Sequence, residues 1–282
     1  MVHGDFRSED KIREFLKEDL GLGDITSMTL IPEKQNAKAK FYYREKGITA
    51  GLKEAKILFE LLGCTFTQLK TEGIVAQPNE ILFIVEGSAR RILEGERLGS
   101  NIIGRMAGIA STTNELVEKI QGKIRIAATR KTAPGLNAFD KRAVKLGGGD
   151  THRFRLDDCV LIKDNHLILL PSITEAVKKA RKEVSFTKKI EIEIRTLEEA
   201  VEAAKAGADI VMFDNMSPEE IKRCLTHLSN KGLRKGRIFE ASGGVTPENI
   251  EGYAESGVDV VSMGHLTHSI RSLNVKLEIE MV

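Results

Sequence analysis

A regular alternation of short apolar segments and helical segments limits the fold of this chain more than any other feature of its sequence. The apolar segments cover residues 124–128, 160–162, 189–194, 210–213, 238–241 and 258–262, and helical patterns separate them. Repeated βα units of this kind predict a parallel sheet. Because about six units are present and a complete (β/α)₈ barrel has eight, the sequence predicts an incomplete parallel α/β barrel.

The N-terminal third has a different pattern. Apolar residues recur at helical spacing over 10–20 and 53–62, while 37–44, 65–70 and 81–86 are typical of strands. This mixture predicts an N-terminal α/β (α+β) sandwich domain. A long helical region follows over 91–121, and we expect a break near Gly104 or Gly108.

The C-terminal tail alternates apolar and polar residues over 272–280, which predicts a strand that returns to the first domain. We therefore expect an N-terminal domain of residues 1–108 joined by 271–282, and a barrel domain of residues 109–270.

Composition excludes several classes of partner. The 43 basic and 41 acidic residues give a net charge of +2, which provides no general attraction to nucleic acid or to anionic membranes. No apolar run approaches the roughly 20 residues that span a bilayer, and the N-terminus is too polar for a signal peptide. The three cysteines are widely spaced and suggest neither a disulfide framework nor a zinc site. We expect a cytoplasmic protein.

Potential cations are concentrated in one part of this balanced sequence. Arg130, Lys131, His152, Arg153 and Lys163 lie within forty residues, beside glycines and a proline that mark turns. A solvated basic surface is the plainer interpretation. However, apolar residues separate these cations, and Lys163 directly follows an apolar strand. The pattern favours a site for a multiply anionic small molecule, because arginine binds carboxylate or phosphate in a planar fork and lysine provides a point charge.

Acidic residues occur at other predicted strand ends, where parallel barrels carry their active sites. Glu193 and Asp214 are candidate ligands for Mg²⁺, which binds through a few carboxylates, waters and substrate phosphates. Salt bridges to Lys131 or Lys163 are the alternative role, and the two roles are compatible.

Small residues follow the last two predicted strands. Ser242, Gly243 and Gly244 follow one, and Gly264 follows the next. Such turns let backbone N–H groups approach a phosphate. His268 is then either a phosphate contact or a residue at the start of a helix.

In combination, these segments resemble the quinolinate phosphoribosyltransferase family. The resemblance rests on Thr-Arg-Lys-Thr-Ala-Pro-Gly-Leu at 129–136, Gly-Gly-Gly-Asp-Thr-His-Arg at 147–153, Leu-Ile-Lys-Asp-Asn-His at 161–166, the Glu-x-Glu strand at 191–193, Asp-Asn at 214–215, Ser-Gly-Gly at 242–244 and Leu-Thr-His-Ser at 266–269. It extends over nearly the whole chain.

The resemblance implies an activity, a cofactor and an assembly. The family forms nicotinate mononucleotide, pyrophosphate and CO₂ from quinolinate and 5-phosphoribosyl 1-pyrophosphate with Mg²⁺, in NAD biosynthesis. It folds as an N-terminal sandwich with an incomplete barrel, and it assembles as a homodimer or higher homo-oligomer with shared active sites.

The resemblance also implies residue roles. Arg130, His152, Arg153 and Lys163 would hold the quinolinate carboxylates, and Arg97 of a partner subunit would join them. Lys131 would lie between quinolinate and the diphosphate, with Lys131, Lys163, Glu193 and Asp214 as the catalytic group. Glu193 and Asp214 would serve metal and ribose. The 5′-phosphate would contact Ser242, Gly243, Gly244, Gly264 and His268.

Four positions depart from the family pattern and put substrate preference in question: Asn137, Arg155, Arg195 and Phe213. Three alternatives remain. One is a related phosphoribosyltransferase for another anionic base such as nicotinate, which would need fewer cations. Another is a paralogue from the neighbourhood of molybdate transport, in which we expect Lys-Asp-Asn-His to differ. The last is a non-catalytic phosphate-binding module, which would not need Glu193 and Asp214.

Overall fold

The computed structural model describes residues 5–282. In chain order the helices are α1 (Asp5–Leu20), α2 (Ile25–Leu30), α3 (Leu52–Leu61), α4 (Ala89–Lys119), α5 (Asn137–Leu146), α6 (Asp164–Leu167), α7 (Ile173–Glu183), α8 (Leu197–Ala206), α9 (Pro218–Asn230), α10 (Ile250–Ser256) and α11 (His265–His268). The strands are β1 (Asn36–Tyr43), β2 (Gly47–Ile48), β3 (Thr65–Gln68), β4 (Val75–Ala76), β5 (Ile81–Ser88), β6 (Arg125–Ala128), β7 (Val160–Ile162), β8 (Ile190–Ile194), β9 (Ile210–Asp214), β10 (Ile238–Ser242), β11 (Val260–Met263) and β12 (Val275–Met281).

The chain forms two compact units. The first contains residues up to Asn114 together with Ala133–Gly148 and Ser269–Val282, and the second contains Glu115–Thr132 and Gly149–His268. The contacts thus group α5 with the first unit, whereas the sequence placed it in the barrel domain. One reason is a bidentate pair within the first unit, in which Arg105 on α4 donates to both oxygens of the buried Asp140 at 2.7 and 2.8 Å. The predicted domain limits themselves remain a prediction.

The first unit is built around an antiparallel sheet with strand order β12-β1-β5-β3. β12 pairs with β1 from Ala37 opposite Met281 to Tyr43 opposite Val275, which confirms the predicted return of the tail. The sheet buries an aromatic cluster in which the rings of Phe41 and Phe83 stack with centroids 4.5 Å apart. Buried residues alternate with more exposed ones along the first part of β1, which explains why the sequence predicted a strand there.

Helix α4 is continuous, so the predicted break near Gly104 or Gly108 is wrong. These glycines make room for the chain segment that leads to β12. A Cβ atom at Gly108 would lie 2.1 Å from the carbonyl oxygen of Arg271, and one at Gly104 would lie 2.7 Å from that of Leu273. The backbone N–H of Leu273 also donates to the carbonyl of Gly104 at 3.0 Å. Close backbone approach, and not helix termination, accounts for both glycines.

The second unit contains a six-stranded parallel sheet with the order β6-β11-β10-β9-β8-β7. Strands β7 to β11 are neighbours in chain order, and β6 pairs with β11. In the described part of the chain, no strand pairing joins β6 to β7. Asp150 extends the open side of β6 through a parallel bridge to Ala127. This order confirms the predicted six-stranded incomplete barrel.

Short capped turns connect the strands to the helices that follow them. Thr196 begins α8 in a capping box with Glu199, and Ser217 begins α9 in a capping box with Glu220. Such caps fix where each helix starts. The residues between a strand end and a cap are therefore held at the carboxyl edge of the sheet. Among the described helices, none combines the length and apolarity needed to cross a bilayer.

We predict that two alanine substitutions in α4 differ in their effect on stability. Gly108→Ala should lower the free energy of unfolding by about 1–3 kcal/mol, because the methyl group overlaps a backbone carbonyl. Gly99→Ala is the matched control, since a Cβ there meets only side chains at 3.4–3.5 Å. It should leave stability unchanged or raise it by up to about 1 kcal/mol. Urea unfolding of both variants gives the comparison, and equal effects would contradict the close-approach account.

Candidate functional site

A cavity of about 540 Å³ lies at the carboxyl ends of the six parallel strands. Residues from every strand end contribute to its lining, which is the arrangement expected of an active site in a parallel barrel. The cavity brings together twelve of the thirteen predicted site residues, namely Arg130, Lys131, His152, Arg153, Lys163, Glu193, Asp214, Ser242, Gly243, Gly244, Gly264 and His268. Their individual roles stay predictions.

Arg97 is the predicted site residue that does not line this cavity. It is exposed on α4 in the first unit and borders a separate hollow of about 340 Å³ together with Arg105 and residues 272–275. The role of Arg97 in the site stays a prediction.

The end of β6 presents two exposed cations, Arg130 and Lys131. The turn is held by a bond from the Lys131 backbone N–H to Thr129 Oγ1 at 3.1 Å, and by one from Thr267 Oγ1 to the Lys131 carbonyl at 2.8 Å. Gly264 leaves space for the side chains of Lys131 and His268, because a Cβ there would lie 2.9 Å from Lys131 Cδ and 2.8 Å from His268 Cδ2. Any larger residue at 264 would displace a cation of the cavity.

Both predicted metal carboxylates are paired with cations. Lys163 Nζ donates to Glu193 Oε1, which is one of the salt bridges considered from the sequence. Asp214 pairs instead with Arg195, whose Nε and Nη2 donate to Asp214 Oδ2 at 3.0 and 2.8 Å. Asn215 Nδ2 donates to the other oxygen, Oδ1, at 2.9 Å. The pairing of Asp214 with Arg195 was not predicted.

These two carboxylates alone do not make a preformed metal cage. Among the described residues, the one group of three or more potential metal ligands lies elsewhere, at His152, Glu191 and Glu240. Mg²⁺, however, is commonly held by one or two carboxylates together with substrate phosphates and water. Glu193 and Asp214 fit that mode, in which the ion arrives with a phosphorylated substrate.

The turn after β10 contains two glycines in the left-handed region. Gly243 and Gly244 have φ values of +82° and +65°, a region that side chains disfavour. A Cβ at Gly243 would lie 2.4 Å from Asn215 Oδ1, so the amide of Asn215 packs against the bare backbone. Ser262 Oγ donates to Ser242 Oγ at 2.9 Å and ties the turn to β11.

Beneath the cavity, His152 is anchored by two glutamates that sequence reasoning did not assign to the site. His152 Nε2 lies 3.2 Å from Glu240 Oε2 and 3.6 Å from Glu191 Oε1. Both carboxylates are buried, and Glu191 Oε1 and Glu240 Oε1 accept no hydrogen bond. The Glu-x-Glu spacing was the available signal, because residues 191 and 193 point to the same face of β8.

The carboxylates determine the charge of His152. Burial lowers the pKa of His152, but the adjacent carboxylates of Glu191 and Glu240 outweigh it and raise the pKa to about 10. His152 also has φ of +50°, and its Nδ1 lies 2.8 Å from the backbone nitrogen of Arg153. Since both ring nitrogens are engaged within the protein, the cluster positions the turn that carries Arg153. Direct contact of His152 with a ligand stays a prediction.

We predict a pH dependence of stability from this cluster. The folded pKa of His152 lies above its ordinary value of 6.5. Its contribution is therefore complete below about pH 6.5 and is lost as pH rises toward 10. Glu240→Gln retains the shape of the side chain but removes one charge, so the decline in unfolding free energy over this range should shrink. Urea unfolding at several pH values measures it; identical slopes in both proteins would exclude the ion pair.

Two family models together cover most of the chain. Models of the quinolinate phosphoribosyl transferase N-terminal and C-terminal domains match residues 24–107 and 109–278. A probable nicotinate-nucleotide pyrophosphorylase [carboxylating] from Methanothermobacter thermautotrophicus is 46% identical over 273 residues, covering 96% of this chain and 98% of that protein. The Homo sapiens nicotinate-nucleotide pyrophosphorylase [carboxylating] is 36% identical, covering 95% and 90%.

The fold agrees as well. The crystal structure of NadC from Streptococcus pyogenes superposes with a TM-score of 0.92 at 33% identity and covers 98% of both chains. Family models that together span nearly the whole chain, full-length relatives and this superposition lead to one assignment. The chain belongs to the quinolinate phosphoribosyltransferase family, the carboxylating nicotinate-nucleotide pyrophosphorylases.

Proposed function

We propose that this chain converts quinolinate and 5-phosphoribosyl 1-pyrophosphate to nicotinate mononucleotide, pyrophosphate and CO₂. The observation that carries the proposal is the composition of one cavity. It joins several cations, two acidic strand ends and two glycine turns at the carboxyl edge of a parallel sheet. A dianionic base needs the cations. A phosphorylated sugar needs the acidic strand ends and the glycine turns.

Quinolinate would bind among the cations. Arg130 and Arg153 supply planar guanidinium groups, and Lys163 supplies an ammonium at the end of β7. A base with two carboxylates requires several positive charges at short range, because each desolvated carboxylate needs its own donors. His152 holds the turn that presents Arg153.

The phosphoribosyl group would occupy the opposite side of the cavity. Its 5′-phosphate fits the turns at Ser242–Gly244 and Gly264, with His268 beside them. Glu193 and Asp214 would receive the ribose hydroxyls and the ion. When bound there with the diphosphate, Mg²⁺ would neutralise the charge of the leaving group.

The chemistry then follows from these positions. The ring nitrogen of quinolinate attacks C1 of the ribose as the C1–oxygen bond breaks and pyrophosphate leaves. Glu193 and Asp214 stabilise the positive charge that develops at C1, and Lys131 stabilises the departing diphosphate. The 2-carboxylate is then lost as CO₂. Its bonding electrons remain on the ring carbon, where the adjacent quaternised nitrogen stabilises them until a proton is added.

A related enzyme for a base with one carboxylate, such as nicotinate, is the alternative. The number of cations favours quinolinate, because Arg130, Arg153 and Lys163 would exceed the needs of a monocarboxylate. Purified protein with Mg²⁺ and phosphoribosyl pyrophosphate, supplied with either base, decides between them. Nicotinate mononucleotide and CO₂ from quinolinate alone support the proposal, and product from nicotinate alone contradicts it.

We predict that Arg130→Ala raises KM for quinolinate at least roughly tenfold, since a charge-assisted hydrogen bond contributes about 1.5–3 kcal/mol. The KM for phosphoribosyl pyrophosphate should change far less. Steady-state kinetics with each substrate varied in turn measures both. Arg223→Ala, on the exposed face of α9, is a matched control that should retain both constants. Equal increases for the two substrates would remove Arg130 from the carboxylate site.

We further propose a homodimer or higher homo-oligomer in which Arg97 of one subunit completes the quinolinate site of its partner. The support is the exposure of Arg97 on α4 and its absence from the cavity lining of its own chain.

Subunit mixing tests the shared site. Arg97→Ala and Lys163→Ala should each be nearly inactive alone. After the two are mixed in equal amounts and allowed to exchange subunits, a shared dimeric site predicts recovery to about a quarter of wild-type activity, because about half of the dimers are mixed and one of the two sites in each is intact. Separately incubated variants provide the baseline. Absence of recovery, with subunit exchange demonstrated by mass, would contradict the shared site.

A further inference from the structure

Arg195, one of the departures from the family pattern, occupies a defined place in the cavity. It directly follows β8 and lines the cavity with Asp164 and Asp214. Its Nη2 donates to Asp164 Oδ2 at 2.9 Å and to Asp214 Oδ2 at 2.8 Å, and its Nε donates to Asp214 Oδ2 at 3.0 Å. One guanidinium thus bridges two carboxylates from the ends of β7 and β9.

Both oxygens of Asp214 accept hydrogen bonds within the protein. Its Oδ2 accepts from Arg195 and its Oδ1 accepts from Asn215 Nδ2. The Asp214 side chain is only 16% exposed. A ribose hydroxyl or a cation that uses Asp214 must therefore either approach Oδ1 beside Asn215 or share Oδ2 with Arg195.

The Arg195 guanidinium is held by ion pairs that solvent can reach. Its side chain is 56% exposed, and ion pairs at exposed positions contribute little because water competes for both charges. The pair of Lys163, 43% exposed, with Glu193, 12% exposed, is only slightly better shielded. Arg195 Nη1 donates no hydrogen bond to any residue that the structure describes, so donors remain for a ligand.

We propose that Arg195 is a binding residue for the diphosphate of phosphoribosyl pyrophosphate. Before the substrate binds, Arg195 is paired with Asp164 and Asp214. This inference rests on the proposed function. When the substrate enters, the guanidinium exchanges carboxylate oxygens for diphosphate oxygens, which match its planar fork. The same exchange releases Asp214 Oδ2 for the ribose.

Charge explains why the exchange is favourable. In the empty cavity Arg195 offsets two carboxylates that would otherwise repel an entering polyanion. In the loaded cavity the diphosphate provides a higher negative charge than either carboxylate. Arg195 therefore has a partner in both states, and its position beside Asp214 places it near the leaving group.

Binding measurements test this inference without turnover. Calorimetric titration of phosphoribosyl pyrophosphate and of inorganic diphosphate, each with Mg²⁺, would use wild type, Arg195→Gln and Arg195→Lys. We expect Arg195→Gln to lower the affinity for both ligands roughly 10- to 100-fold, because a charge-assisted pair is lost. Arg195→Lys should restore part of the affinity for both ligands. The affinity of the Arg195→Gln variant for quinolinate should stay within about twofold of the wild-type value.

Arg181→Gln is the matched control. Arg181 also forms an exposed arginine–carboxylate pair, with Asp209 at 2.6 Å, but it does not line the cavity. It should leave all three affinities unchanged. Circular dichroism of each variant excludes loss of fold as the cause.

The outcomes separate the two proposals. Unchanged or tighter diphosphate binding in Arg195→Gln would overturn the inference, because Arg195 would then be neutral or merely block Asp214. Equal weakening of quinolinate and diphosphate would also overturn it. Failure of the proposed function shows differently, as wild-type protein that binds diphosphate but forms no nicotinate mononucleotide from quinolinate.

Discussion

The parallel arrangement of the six strands β6, β7, β8, β9, β10 and β11 in one sheet is the constraint on which the rest of the structure depends. Residues from Arg130 to His268 are far apart in the chain, yet they line one cavity because parallel strands share a carboxyl edge. The sheet leaves β6 and β7 unpaired with each other, and the turn carrying His152 and Arg153 follows the bridge at Asp150 on that open side. The gap in the barrel therefore contributes to the site.

Charge compensation stabilises three of the cations that line the cavity. Glu193 balances Lys163, Asp214 balances Arg195, and the buried pair Glu191 and Glu240 balances His152. The shielding differs between these pairs. The His152 cluster is buried and fixes geometry, whereas the Arg195 pair is exposed and can exchange partners with an entering anion. A gradient from fixed to exchangeable pairs suits a site that must hold its shape when empty and bind polyanions.

Glycine positions, which have no side chain, shape the structure as much as the charged residues do. Gly243 admits the amide of Asn215, and Gly264 admits Lys131 and His268. In α4, Gly108 admits the backbone that leads to β12. In the sequence each of these looks like a turn or a helix break. Only the neighbour that fills the space distinguishes a turn from a close approach, and that neighbour is distant in the chain.

The sequence alone determined the order of the βα units, the return of β12 and the residues gathered in the cavity, because periodicity and strand-end position are local properties. It did not determine the unbroken α4, the pairing of Asp214 with Arg195, or the cluster of Glu191 and Glu240 with His152. Those features depend on which side chains meet across the sheet. Such meetings are set by strand order and packing, and the tertiary structure alone decides them.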